Sequence, residues 1–347
     1  MHRPPKSLRP LFALALPLVL FAAACGDDAS GASSSFDSAT TVTVADSVPD
    51  NTTLRIGDQQ KLLQTPLEVS GELDRVQFEP EWSTFVGGPP LLEAFRAGEL
   101  DVGFVGDTPP LFAAAAGQDL VIVAAWRFDG DNYGIVVGPD SDVGSVEELK
   151  GKSVAFQKGT AMQAYTVRAL DEADLEQSDI EHVDLSSLDV SAAVKSGDAD
   201  AGVLVEPLLS QYLASTPGAK KIRDSKGLTT NLSFIITTRE ALEDPAKAAA
   251  VGDFLRRQRA AFAWSAANRD VLVDAFATNN NVPADLARQI IEGNAGTEFL
   301  PLAGPVTDQL QSLADDLYEA KVIPKELDAP TLFDSRFEAI TTGPLPS

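Results

Sequence analysis

Short apolar runs alternate with stretches of helical period along most of the chain. Thr53–Gly57 reads as a first strand, and Lys61–Leu73 as a weakly amphipathic helix. Val76–Trp82 alternates as a strand. Pro89–Gly98 has proline at its start and glycine at its end, the punctuation of a helix. Asp101–Val105 is a third strand, followed by a helix over Thr108–Ala116 and a buried apolar strand over Leu120–Ala125. Tyr133–Val137 is a strand expected to make the first crossing between two lobes, and Leu232–Thr238 is expected to make the return. Between them the pattern predicts a short helix over Val146–Gly151, strands at Ser153–Phe156, Ile180–Asp184 and Asp200–Val205, and helices over Thr160–Leu170 and Leu188–Ser196. Helices over Ala246–Asn268, Val271–Thr278, Ala284–Glu292 and Val306–Ala320 would pack back on the first lobe. This order predicts an α/β fold with largely parallel sheets, in two hinged lobes with a ligand cleft between them. The expected lobes are residues 53–134 with 235–347, and 135–234.

The most informative stretch is Ser153–Ala161. Its β-prone half turns on Gly159 and enters a helix at Thr160. A strand running through a glycine turn into a helix aims unpaired N–H groups and the positive end of the helix dipole at one point, which suits an anion. Asp101–Val105 leads in the same way into Gly106-Asp107-Thr108-Pro109-Pro110, with proline in the first helical turn. Ordinary βα turns of a structural sheet would look alike from spacing alone.

The first 24 residues read as an export leader. His2, Arg3, Lys6 and Arg9 give a basic start, and Leu11–Ala24 is an uncharged apolar run too short to span a bilayer. It ends Ala22-Ala23-Ala24-Cys25-Gly26, which resembles a bacterial lipoprotein cleavage box with Cys25 as the lipidated residue; a plain secretory signal is the alternative. Residues 25–52, rich in Ser, Thr, Ala and Asp, are expected to be a flexible tether. Cys25 is the only cysteine, so a lipidated mature chain has no thiol nucleophile, disulfide or thiolate zinc site.

Charge narrows the partners further. Without its leader the chain keeps 24 Lys/Arg against 51 Asp/Glu, a formal charge of −27, which excludes nucleic acid as a natural partner. It does not exclude an anionic ligand, because donors at contact distance act inside the roughly 10 Å over which distant charges are screened. One histidine remains, His182, and there is no nucleophile elbow, so no Ser/His/Asp set can be assembled and no enzyme is expected. No metal or cofactor site is apparent either.

The chain resembles the periplasmic-type solute-binding proteins of the aliphatic sulfonate, taurine and nitrate uptake systems. The resemblance lies in Leu54-Arg55-Ile56-Gly57, Gly88-Pro89, Leu92-Glu93-Ala94, Gly106-Asp107-Thr108-Pro109-Pro110, Val154-Ala155-Phe156-Gln157-Lys158-Gly159, Leu317-Tyr318-Glu319 and Val322-Ile323-Pro324-Lys325, and spans about residues 53–330. It implies a two-lobed binding protein of the type II class, with a permease and a cytoplasmic ATPase as partners and a lipid anchor on the extracytoplasmic face of the cell membrane. It further implies that an anion meets Gly106, Asp107 and Thr108 from one lobe and Gly159, Thr160 and Ala161 from the other, with Gln59 at the mouth and Glu206 at the acid position before proline. A sulfonate is ionised at physiological pH, and its oxygens want fixed donors such as amides and a Thr hydroxyl. Asp107 and Glu206 cannot accept from it; each would orient donors, bind an ammonium, or cap a helix. The chain departs from the family at Asp58, often Tyr; at Thr160-Ala161-Met162, where successive hydroxyls are common; and at Val205, often aromatic. Met162 is expected in the core and Lys158 in solvent, while Trp82 fits packing or pocket equally. An aliphatic sulfonate is the expected ligand. Taurine, nitrate, a sulfate ester and a thiamine precursor are the alternatives, and a desulfinase-like or pyrimidine-forming enzyme on the same fold is the reading from another class.

Overall fold

The computed structural model describes residues 44–128, 130–294 and 298–343. The expected leader, Cys25 and residues 25–43 of the expected tether lie outside them. Five strands form the first sheet: β1 (Thr53–Gln59), β2 (Glu79–Phe85), β3 (Val102–Gly106), β4 (Leu120–Arg127) and β10 (Leu232–Thr238), in the order β2-β1-β3-β10-β4. The second sheet holds β5 (Tyr133–Val137), β6 (Ser153–Phe156), β7 (Glu181–Asp184), β8 (Ala201–Val205) and β9 (Lys220–Asp224), in the order β7-β6-β8-β5-β9. The two sheets share one plan. In each, one strand arrives from the other half of the molecule and runs antiparallel to both neighbours: β10 between β3 and β4, and β5 between β8 and β9.

This plan corrects the expected crossings. Tyr133–Val137 and Leu232–Thr238 are not the bridges; each is an inner strand paired on both sides. The chain passes between the sheets in the short connections before them, from β4 to β5 and at residues 225–231. The physical reason is that a buried strand must pair its backbone along its whole length. The chain therefore changes sheets where pairing stops. β9, Lys220-Lys221-Ile222-Arg223-Asp224, escaped the hydrophobic pattern because it is an edge strand carrying charge, a common guard against edge-to-edge association.

The helices are α1 (Gln64–Ser70), α2 (Gly88–Arg96), α3 (Thr108–Ala115), α4 (Ala161–Asp171), α5 (Ser187–Ser196), α6 (Leu208–Ser215), α7 (Arg239–Glu243), α8 (Pro245–Ala267), α9 (Arg269–Asn280), α10 (Ala284–Asn294), α11 (Pro305–Glu319) and α12 (Glu338–Thr342). None is long and apolar enough to cross a membrane. α8 starts cleanly because Asp244 accepts from the Ala246 and Lys247 amides and Pro245 occupies the first helical position. One face of α8 packs Phe254, Leu255 and Phe262 into the core against the first sheet. α4 belongs to two cores: Met162, Tyr165 and Leu170 pack on the second sheet, while Ala164 and Val167 join α11 residues Leu310, Leu313, Ala314 and Leu317. Arg168 of α4 reinforces that contact, with its Nε 2.6 Å from an Asp316 oxygen.

Residues 44–52, the last part of the expected tether, are packed. The Glu79 amide donates to the Thr52 carbonyl at 2.8 Å, and Val48 and Val44 join the core beneath α8. Gly252 makes this possible, since a Cβ there would stand 2.6 Å from Val44 Cγ1. Gly252→Val should unseat this segment and cost about 1–3 kcal/mol of stability, as overpacking does. The check is chemical denaturation together with limited proteolysis, in which cleavage ahead of residue 52 accelerates.

Asp58 closes β1 and caps α1. Its carboxylate is fully buried and accepts from the Leu63 and Gln64 amides at 2.8–3.1 Å. Burial outweighs these donors and pushes the carboxyl up to about 7 from its ordinary 3.8. Between those values the folded protein holds a proton that the unfolded chain has released. The stability from this group is therefore present at low pH and lost as pH rises through the window, by at most about 1.4 kcal/mol per pH unit. Asp101, held down by Arg55 and Lys247 against the opposing effect of burial, has the opposite sign but acts below that window. Denaturation curves between pH 4 and pH 7 should show a smaller decline for Asp58→Asn than for the wild type; equal slopes would refute the assignment.

Candidate functional site

β1, β3 and β4 run in one direction, so their C-terminal ends share an edge of the first sheet, where ligands of open α/β sheets bind. β3 ends there at Gly106, and α3 begins at Thr108. Pro109 and Pro110 have no N–H, and the Thr108 amide is drawn to the Asp107 carboxyl, so the Asp107 amide is the donor this helix start has left. The Asp107 side chain is buried and accepts a 2.8 Å bond from the Thr108 hydroxyl and a very short one from the Thr230 hydroxyl. Burial raises its carboxyl above the ordinary range, against the two hydroxyls and the Arg168 charge. The Thr108 hydroxyl, expected as a ligand donor, is completely buried and committed to Asp107. Gln59 Nε2 donates to the Phe104 carbonyl at 2.8 Å, just past the last β1–β3 register pair. The backbone at Gly106 borders open space, with no atom within 4 Å of where a Cβ would stand.

The other lobe presents the turn from β6 into α4. Gly159 takes a φ of 73°, the left-handed region that glycine adopts without strain, and it too borders open space. The Lys158 amide donates to Asp184 at 3.0 Å and the Gly159 amide to Gln163 Oε1 at 2.9 Å. Thr160 is the cap: its hydroxyl donates to the Gln157 carbonyl at 2.7 Å and accepts from the Met162 amide at 3.3 Å. Two donors remain. Among the described residues, the Thr160 and Ala161 amides have no acceptor. Both residues are partly exposed, at the positive end of α4.

The two lobes approach each other at Gln157. Its Oε1 accepts from the Ser187 hydroxyl at 3.3 Å, and a Cβ on Gly87, ahead of α2, would stand 4.0 Å from it. A Cβ on Gly88 would press on Pro109, so the α2 and α3 starts abut, and α3 in turn touches α4. Four helix starts from both halves of the molecule, those of α2, α3, α4 and α5, therefore lie close together.

The remaining singled-out residues have local partners. The Glu206 carboxylate accepts from the Ser210 amide at 3.2 Å and the Ser210 hydroxyl at 2.9 Å, which makes it a cap on α6. Met162 is buried in the core of the second lobe. Trp82 packs edge-on against Phe254, its ring nitrogen buried without a partner. His182 stacks on Phe156 at 3.9 Å and bonds the Phe156 carbonyl. Lys158 points to solvent. No group of three or more His, Cys, Asp or Glu among the described residues could hold a metal ion. Sequence reasoning missed Gln157, Gln163 and Thr230. The first two lie inside or beside the quoted motif, whereas no signal in the chain links Thr230 to Asp107.

Comparison with known proteins fits this geometry. Residues 89–293 match the model of the ABC-transporter phosphonate periplasmic substrate-binding proteins. The chain is 32% identical over 292 residues to an Escherichia coli (strain K12) protein described as a candidate aliphatic sulfonates-binding protein, covering 82% of this chain and 88% of that one. The crystal structure of the periplasmic aliphatic sulphonate binding protein SsuA from Escherichia coli superposes with a TM-score of 0.69 at 31% identity, over 81% of this chain and 91% of that one. The alkanesulfonate-binding SsuA from Xanthomonas axonopodis pv. citri, bound to MOPS, superposes with a TM-score of 0.72 at 27% identity, over 82% and 99%. Two sheets of matching plan, helix starts drawn together from both halves and relatives that cover most of its length lead to one conclusion: the chain belongs to the periplasmic substrate-binding proteins of ABC transporters, a family of binding proteins rather than enzymes.

Proposed function

We propose that this protein is an extracytoplasmic lipoprotein that captures a small organic anion, an aliphatic sulfonate, and delivers it to an ABC permease. The observation that carries the reading is the pair of amides at Thr160 and Ala161, at the partly exposed start of α4, with no acceptor among the described residues. A desolvated donor without an acceptor costs about 1–3 kcal/mol, and a permanently ionised oxygen anion removes that cost in the bound state. Gly106 and Gly159 leave room for the headgroup to approach backbone on both sides. The Asp107 amide would complete the seat from the first lobe, and Gln59, Gly106, Thr108 and Glu206 would border it. The relatives described as binding aliphatic sulfonates support the choice of anion.

The acids at the opening favour a plain alkanesulfonate over taurine. An ammonium needs a carboxylate with a free lone pair facing it. Asp107 is already held by two hydroxyls, and Glu206 by Ser210. The connection from β4 to β5 and residues 225–231 would serve as the hinge on which the lobes close over the ligand. Cys25, ahead of the acidic 26–43 stretch, would carry the lipid, with several acyl chains giving the durable anchoring that one chain does not.

A panel of ethanesulfonate, taurine, nitrate, sulfate and a sulfate ester tests the ligand by thermal shift. A true ligand at a hundredfold excess over its dissociation constant adds about 2.7 kcal/mol of stability. Ala161→Pro is the paired control: it deletes one amide at the first helical position, which proline tolerates, behind a residue already extended at φ −123° and ψ 170°. It should weaken sulfonate binding about tenfold or more and leave the melting temperature of the free protein unchanged. A panel without any shift sinks the anion reading, and full affinity in Ala161→Pro moves the anion away from α4. For the anchor, Cys25→Ser should release the protein from the membrane fraction and keep its sulfonate affinity; retention on membranes would exclude lipidation at Cys25.

A further inference from the structure

We propose that Asp107 is a positioning residue: its carboxylate, shared between Thr108 at the start of α3 and Thr230 in the return connection, couples the anion seat to the hinge. This rests on the anion-binding reading above and assigns Asp107 a place behind the seat. Asp107, Thr108 and Thr230 are all buried, with exposures of 5%, 0% and 6%, and they form a closed set. The Thr230 hydroxyl donates to Asp107 and accepts from the Leu232 amide at 3.1 Å, where β10 begins. The same connection is held from the other lobe. Arg168 of α4 donates to the Leu228 carbonyl at 3.2 Å while its Nε pairs with Asp316. The two connections are also tied to each other: Asn231 Nδ2 donates to the Gly130 carbonyl at 2.8 Å, and the Phe128 amide to the Asn231 carbonyl at 3.2 Å.

Both helices that present the seat, α3 and α4, are thus bonded to one seven-residue connection. The Asp107–Thr230 bond fixes its lobe-1 end to the Gly106–Thr108 turn. Ser225 and Leu228 are fixed to the second lobe by Tyr133 and Arg168, so rotation during closure falls between Leu228 and Thr230, and the turn keeps one position relative to β10. A carboxylate held by two hydroxyls has no role against a sulfonate oxygen, which it would repel. Its geometry is also met by an amide: asparagine can accept from one hydroxyl and donate to the other. The charge is therefore dispensable and the pair of bonds is not.

The test compares Asp107→Asn, Asp107→Ala and Thr230→Val on a Cys25→Ser background. Affinities for ethanesulfonate and for taurine are measured by calorimetry. Spin labels at Glu99→Cys and Lys195→Cys, both exposed, report the interlobe distance without ligand. Thr230→Val and Asp107→Ala should weaken both ligands by the same factor, about tenfold, and broaden the distance distribution. Asp107→Asn, which can keep both hydroxyl bonds, should fall closer to the wild type than Asp107→Ala in both readouts. A selective loss of taurine in Asp107→Asn would make Asp107 a direct ligand contact and overturn the proposal. So would an unchanged distance distribution in Thr230→Val. A wild type that binds neither compound defeats the sulfonate reading alone, since the distance measurement still decides what Asp107 does.

Discussion

A helix that begins inside a protein leaves amides that must find an acceptor, and here two of them have none among the described residues. At the start of α4 every other donor is taken: Lys158 by Asp184, Gly159 by Gln163 and Met162 by Thr160. The Thr160 and Ala161 amides remain. Water can serve them while the lobes are apart. When the opening dries, only an acceptor brought from outside can do so, and an oxyanion is the strongest one available. The chain's large negative charge does not oppose this, because it is spread over the surface while the amides act at contact.

The same economy of partners explains the acids near the opening. Asp107 and Glu206 look like ligand contacts when only their positions are known. In the fold, each carboxylate accepts from two nearby hydroxyl or amide donors of the protein. In the proposed site these bonds would hold the walls in place. Asp58 behaves likewise, one residue before Gln59: it closes α1 from beneath and presents nothing to the opening.

The hinge gives these local arrangements a common frame. α4 packs on the second sheet with one face and on α11 with another, and Arg168 ties it to Asp316 and to the return connection. α3 reaches the same connection through Asp107. Movement of the lobes would therefore not leave the two helix starts independent of each other. The proposed capture by closure requires that property, because the seat would be complete only when both starts face the same headgroup.

Much of this was legible along the chain. Apolar runs and helical periods located nearly every strand, because burial of one face imposes its period on the sequence. Gly159 and the Gly106–Pro110 run marked the two βα turns, since only certain residues fit such backbones. The edge strand β9 was not legible, its charges hiding the alternation, nor was the point at which the chain changes sheets, which depends on where pairing ends. Above all, the sequence could name Asp107, Thr108, Gly159, Thr160 and Glu206 but not their partners. Hydrogen bonds between residues far apart, such as Asp107 with Thr230, form only when the fold brings them together, and those bonds decide which donors are left for a ligand. Residue types and their spacing determined the elements and the turns; the tertiary structure decided which polar groups are satisfied, because satisfaction depends on distance in space and not on distance along the chain.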